Sequence, residues 1–202
     1  MELIKLFVRS AFLENIIFAY LLGMCSYFAI SRQIKSSIGL GVAVIFVLAV
    51  TLPVNYLLLK YVLNPGAMAW LSKDLANVDI SYFSFITFIA TIAAMTQLVE
   101  MIIERFSPTL YGALGIFLPL IAVNCAILAG SLFMTQKQFQ SVIEAIVYAV
   151  GLGFGWFLAI TIFACVRERL KYSNPVPQLR GLGLAFITTG ILGICFLAFS
   201  GI

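Results

Sequence analysis

The sequence predicts an all-α integral membrane protein with six transmembrane helices, forming one membrane domain over residues 1–202. Of these 202 residues, 63% are hydrophobic and only 10% are charged, and the mean hydropathy is +1.12. Soluble domains carry roughly 25% charged residues, so this chain has too little polar surface to cover a water-soluble core. The number of helices follows from the distribution of charges along the chain.

Six stretches contain no Asp, Glu, Lys or Arg, and most are long enough to cross a bilayer. A helix needs about 20 residues to span roughly 30 Å of hydrocarbon. Strands of a β-barrel would alternate in polarity over about ten residues, and no stretch does so. We therefore predict six membrane helices. The charge-free stretches are residues 15–31, 36–59, 80–99, 106–136, 145–166 and 181–202.

Charge and composition exclude several functions and predict an orientation. The chain has no histidine, which excludes histidine metal sites, Ser-His-Asp catalysis and imidazole proton relays, and we expect no catalytic residue in it. Basic residues form no sustained patch, so nucleic-acid binding is not expected.

The connection between the fifth and sixth stretches is the most basic, and short basic connections stay in the cytoplasm. Both termini are therefore predicted to be periplasmic.

Polar or helix-breaking residues occupy the middle of the first and fourth stretches. Gly23 lies in the first, and Pro119 and Asn124 lie in the fourth. Because proline and glycine weaken helices, we expect both helices to be broken at mid-membrane. The two are separated by three crossings, an odd number, so the halves 1–105 and 106–202 would be inverted repeats.

Each predicted break carries a cysteine, Cys25 or Cys125. These could be small apolar residues, a disulfide or thiolate metal ligands. An iron-sulfur cluster usually needs four cysteines, or two with two histidines. Cys165 and Cys195 accompany no comparable break. If Cys25 and Cys125 bind metal, two further thiolates should therefore come from a partner chain of the same architecture.

The backbone around the two breaks is expected to contact such a cofactor. Non-helical backbone at this depth must be buried in protein, and its free N–H groups can donate to anionic sulfur. The residues expected to do so are Gly23, Met24 and Asn124.

A carboxylate closes the third stretch. Glu100 and Gln97 share one helical face with Met101 and Glu104. Glu100 could be hydrated or paired with Arg105 at the interface, or it could line a sodium pathway, since hard cations prefer oxygen ligands. Asn55, Asn124 and the Thr188-Thr189 pair are interpreted mainly as helix-packing contacts.

Several segments resemble the family of E subunits of sodium-translocating NADH:quinone oxidoreductases and, less closely, the related A subunits of Rnf complexes. Ser26 favours the former, because Rnf-type chains usually have proline after the first cysteine. The resemblance runs through the whole chain. The segments that carry it are Leu22-Gly23-Met24-Cys25, Gln97-Leu98-Val99-Glu100-Met101, Ser107-Pro108-Thr109-Leu110-Tyr111 and Leu118-Pro119-Leu120-Ile121-Ala122-Val123-Asn124-Cys125.

The resemblance implies one member of a six-subunit complex, A to F, in the bacterial inner membrane. It implies pairing with the homologous D subunit about a pseudo-twofold axis, each chain giving two cysteines to a 2Fe-2S centre. A mononuclear iron with four cysteine ligands is the alternative. Electrons would pass across the membrane, coupled to sodium export, while NADH, flavins and quinone bind other subunits. An Rnf-type ferredoxin-linked protein and an inverted-repeat secondary transporter are the alternative functions.

Overall fold

The structure is a computed structural model that describes residues 1–63, 84–106, 111–112, 121–137, 139, 141–173 and 181–198. Regular secondary structure in these ranges is helical throughout. Two π-helical segments, Arg9–Leu13 and Leu59–Leu63, adjoin the α-helices. The α-helices are α1 Glu2–Val8, α2 Ile16–Tyr20, α3 Met24–Ile30, α4 Ile34–Leu58, α5 Ser84–Phe106, α6 Cys125–Lys137, α7 Val142–Leu170 and α8 Leu182–Leu197.

Part of what the sequence predicts lies outside the described residues. This applies to Pro119, to the motif segment at residues 107–110 and to much of the segment that follows it, residues 113–120.

Three described helices are long and apolar enough to cross a membrane: Ile34–Leu63, Ser84–Phe106 and Val142–Leu170. Leu182–Leu197 is apolar but shorter. The first charge-free stretch holds two short helices, α2 and α3, in place of one long helix. The predicted all-α membrane class is confirmed, whereas the full six-helix inverted repeat stays a prediction.

The core lies between α4 and α7, which pack along each other. Glycines allow this close approach, because a Cβ atom on Gly153 would lie 2.9 Å from the Ile45 Cα atom. A Cβ atom on Gly41 would lie 2.3 Å from the Phe157 ring. Small residues at helix interfaces are the usual means of packing in lipid, where no hydrophobic force drives helices together. The indole of Trp156 is fully buried in this core.

A second face of α7, formed by glycines, packs against the N-terminal segment. Gly151 lies against Ser10, and Gly155 lies against the Ala11 carbonyl. The Asn15 amide donates to the Gly155 carbonyl at 2.9 Å, while its oxygen accepts from the first turn of α2. The start of α2 is thereby fixed to the middle of α7.

The contacts of charged side chains fall into two groups, which the predicted topology assigns to opposite membrane sides. Glu14 forms ion pairs with Arg9, at 2.8 Å, and with Lys137. Elsewhere, the Lys171 ammonium donates to the Arg32 carbonyl at 3.2 Å. These contacts join residues that the topology puts on the same side.

Candidate metal centre

The helical run of the first stretch stops after Tyr20 and restarts at Met24. Leu21 and Gly23 both adopt left-handed backbone conformations, with φ of 56° and 81°. Glycine takes this conformation without steric strain, whereas leucine is strained by about 1–3 kcal/mol. The Ser26 hydroxyl donates to the Gly23 carbonyl at 3.1 Å, which ties the turn to the first turn of α3.

The start of α6 is organised by Asn124. Its backbone N–H donates to the Ile121 carbonyl at 3.1 Å. Its side-chain oxygen accepts from the Ala126 N–H, also at 3.1 Å, as asparagine does at helix N-termini. Cys125 is the first residue of the helix that this side chain caps.

The start of α3 and the start of α6 contact each other. A Cβ atom placed on Gly23 would lie 3.0 Å from Ala126 Cβ and 3.2 Å from Asn124 Oδ1. It would also lie 3.0 Å from the Nε1 atom of Trp156 on α7. Two segments about 100 residues apart in sequence therefore meet at a position where only glycine fits without a shift.

Cys25 and Cys125 occupy equivalent places beside this contact. Cys25 is the second residue of α3 and Cys125 the first of α6, and both are free and exposed on the chain surface. Cys165 and Cys195 are also free and exposed, but they lie within α7 and α8, away from any helix start. The disulfide considered from the sequence is not formed.

Two buried donors at the contact have no hydrogen-bond partner in the described structure. They are the Asn124 side-chain amide nitrogen and the Trp156 indole nitrogen. Asn124 is 2% exposed and Trp156 is 0% exposed. Because an unpaired buried donor is destabilising, such a pair indicates a place for an acceptor.

Sequence reasoning missed Trp156. A signal was available, because tryptophan prefers membrane interfaces and this one stands in the middle of a charge-free stretch. Met24, which the sequence predicts beside the cofactor, is partly buried and packs against the core.

The predicted ion-pathway residues lie on α5. That helix buries Phe88, Ile92 and Thr96 and turns Gln97 outward, with Glu100 half-buried. The Glu100–Arg105 ion pair considered from the sequence is not formed, although both residues are described. The face bearing Gln97 and Glu100 is thus open to lipid or to a neighbouring protein.

Of the other polar groups within the helices, Asn55 joins two helices, as the sequence suggests, whereas Thr189 bonds within its own helix. The Asn55 amide on α4 donates to the Ser131 hydroxyl on α6 at 2.8 Å. On α8, the Thr189 hydroxyl donates to the Ala185 carbonyl of its own helix. The described ranges contain no cluster of three or more His, Cys, Asp or Glu side chains that could hold a metal ion. A four-thiolate centre here would need a second chain.

Fold and site together define a class: an α-helical membrane protein whose helix starts, each bearing a cysteine, meet around a glycine. The chain belongs to the Rnf-Nqr subunit family of membrane proteins, whose family model matches residues 3–202.

Curated relatives agree with this assignment and confirm the resemblance seen in the sequence. Proteins from Psychromonas ingrahamii and Methylococcus capsulatus are each 51% identical over 199 residues, covering 98% of this chain and 97% of the relative. The Azotobacter vinelandii protein is 50% identical over the same coverage. All three are named as the E subunit of Na(+)-translocating NADH-quinone reductase.

Proposed function

We propose that this chain is the E subunit of a sodium-translocating NADH:quinone reductase in a bacterial inner membrane. The full-length similarity to proteins of that name supports the assignment. As one subunit of a larger enzyme, the chain is proposed not to be catalytic alone.

Cys25 and Cys125 are proposed as thiolate ligands to an intramembrane iron centre. The observation that carries this proposal is the contact between the start of α3 and the start of α6, which places a cysteine beside each partner of that contact. The site fits such a group, because the buried Asn124 and Trp156 donors lack acceptors and thiolate sulfur is anionic. A 2Fe-2S cluster is favoured, with a mononuclear four-cysteine iron as the alternative.

When bound, the centre would supply one-electron transfer. Cys25 and Cys125 would hold the metal as deprotonated thiolates. Gly23 keeps the two helix starts close, and Asn124 caps the turn that carries its cysteine. Trp156 and the apolar core around it exclude water from the buried side.

The other two thiolates are proposed to come from the homologous D subunit, related by a pseudo-twofold axis. Exposure of both sulfur-bearing residues on the chain surface supports this, since a shared ligand set must face the partner. NADH, flavins and quinone would bind the other members of the six-subunit complex.

The two halves, residues 1–105 and 106–202, are proposed to be inverted repeats. The order of helix lengths supports this. In each half a short cysteine-bearing helix, α3 or α6, is followed by two longer helices, α4 and α5 or α7 and α8. The basic residues near the C-terminal end of α7 support periplasmic termini by the positive-inside rule.

Glu100 and Gln97 are proposed to serve the sodium pathway together with a neighbouring protein of the complex.

The test replaces each proposed ligand, by Cys25→Ser and Cys125→Ser, in the assembled complex. Iron, acid-labile sulfide and the electron paramagnetic resonance signal of the centre are then measured with quinone reduction. We expect each variant to lose the signal and the activity.

Cys165→Ser and Cys195→Ser are matched controls, because these cysteines are also exposed but lie within helices, away from the helix starts. Both should keep iron and turnover. Full iron content in either ligand variant would contradict the proposal. Absence of iron from the wild-type complex would favour a secondary transporter, and ferredoxin-linked activity without quinone reduction would favour the Rnf type.

A further inference from the structure

A cationic cavity lies where the end of α7 meets the start of α8, and neither Cys25 nor Cys125 lines it. It measures about 600 Å³ and its lining includes three basic side chains, Arg32, Arg167 and Lys171. Among the described residues no carboxylate lines it, and Glu168, although adjacent to Arg167 in sequence, is exposed elsewhere. The cavity therefore concentrates positive charge without compensation from that part of the chain.

The basic groups keep donors available for a ligand. Arg167 Nη1 donates to the Phe28 carbonyl at 2.9 Å and to the Ser31 hydroxyl at 2.7 Å, which fixes its guanidinium at the wall. Among the described residues, the Lys171 ammonium donates one hydrogen bond, to the Arg32 carbonyl. The Arg32 guanidinium has no ion pair within the described ranges, although it repels the like charge of Arg167.

The rest of the wall consists of two polar residues, Gln33 and Ser173, and of backbone and apolar side chains from two helix ends. Gly181, at the N-terminus of α8, has no side-chain cap, so the first N–H groups of that helix add to the positive potential. Leu170, Leu184 and Ala185 supply the apolar part of the lining. A ligand suited to this cavity carries a negative group at one end and hydrocarbon at the other.

We propose that this cavity binds the headgroup phosphate of an anionic phospholipid. Arg32, Arg167 and Lys171 would contact the phosphate, and Leu170 and Leu184 the glycerol and first acyl carbons. A basic cavity at the ends of apolar helices lies where lipid phosphates are found, and clustered basic residues recognise anionic headgroups. This site is independent of the proposed iron centre.

The experiment is native mass spectrometry of the assembled complex with phosphatidylglycerol and with phosphatidylcholine, comparing wild type with an Arg32→Gln/Lys171→Gln double variant. The double variant should retain phosphatidylglycerol about 30-fold less well, since each basic residue near a membrane surface contributes about one kilocalorie per mole. Arg167 is left intact because it also anchors the end of α3.

A Lys35→Gln/Arg169→Gln double variant is the matched control. It removes the same charge from exposed residues near the same helix ends, and neither residue lines the cavity. Its lipid retention should equal that of wild type.

Three results would overturn the proposal: equal loss in both double variants, undiminished retention in the cavity variant, or no phosphatidylglycerol on wild type. Displacement of the lipid by millimolar inorganic phosphate would assign the cavity to free phosphate, which also overturns it.

Discussion

Gly23 and Asn124 are in direct contact, although they lie 101 positions apart in the chain. A Cβ atom on Gly23 would come within 3.2 Å of the Asn124 side-chain oxygen. Each of these residues directly precedes a helix start that bears a cysteine. Their contact is what turns two separate sequence motifs into one candidate site.

Gly23→Ala should destabilise the site through both backbone and packing. A φ of 81° is unfavourable for alanine, and the new methyl group would meet Ala126 Cβ at 3.0 Å. We expect a loss of about 1–3 kcal/mol of stability, with reduced iron retention. Thermal unfolding and metal analysis of the complex measure both. Gly190→Ala, where the added methyl group meets open space, is the control. It should lower neither quantity, because alanine is favoured over glycine within a helix.

Trp156→Phe should make the midpoint potential of the proposed centre more negative while the ring stays in the core. Donors near cluster sulfur stabilise the reduced, more negative form, so removing the indole N–H weakens that form. Redox titration followed by electron paramagnetic resonance measures the change. Tyr148→Phe, another buried aromatic of α7, should leave the potential unchanged. An unaltered midpoint potential in Trp156→Phe would show that Trp156 acts only in packing.

Glu14→Gln should loosen the connection between the N-terminal segment and the end of α6. Glu14 is only 17% exposed and pairs with both Arg9 and Lys137. Loss of the carboxylate leaves Lys137 partly buried without its partner, so we expect about 1–2 kcal/mol of destabilisation. A lowered thermal midpoint would show it. Glu2→Gln breaks only the exposed pair with Lys5 and should have no measurable effect.

Glu100→Gln should raise the sodium concentration needed for half-maximal turnover. The proposed pathway would lose its anionic ligand, and a tenfold rise corresponds to about 1.4 kcal/mol of binding. Sodium titration of quinone reductase activity gives the value. Glu104→Gln, an exposed carboxylate of the same helix, should behave as wild type. The same sodium dependence in Glu100→Gln and wild type would remove Glu100 from the pathway.

The helical fold class was predictable because the hydrocarbon core of a bilayer imposes it. Backbone groups in a bilayer must be satisfied within a segment, so long charge-free stretches become helices. The described parts of residues 36–59, 80–99 and 145–166 accordingly fall within α4, α5 and α7, apart from Leu59 at the start of a π-helical segment. Helix ends were less predictable, because hydrocarbon length does not specify where capping groups such as Ser141 start a helix.

The candidate ligands and their neighbours Gly23 and Asn124 were also predictable from the sequence. Trp156 and the contact between the two segments were not. Cys25 and Cys125 attracted attention because breaking or polar residues accompany them in charge-free stretches. Trp156 did not, because its importance depends on which face of α7 meets Gly23. The Glu14–Lys137 pair spans 123 positions and depends likewise on how the two segments pack.

The sequence by itself determined that this chain is a helical membrane protein of the Rnf-Nqr subunit family, because composition and local motifs are properties of the chain in order. Only the tertiary structure decided that Gly23, Asn124 and Trp156 form one contact and that three basic residues surround one cavity. Those relationships depend on helix rotation and packing, which small residues such as Gly153 and Gly155 set by how closely they let helices approach.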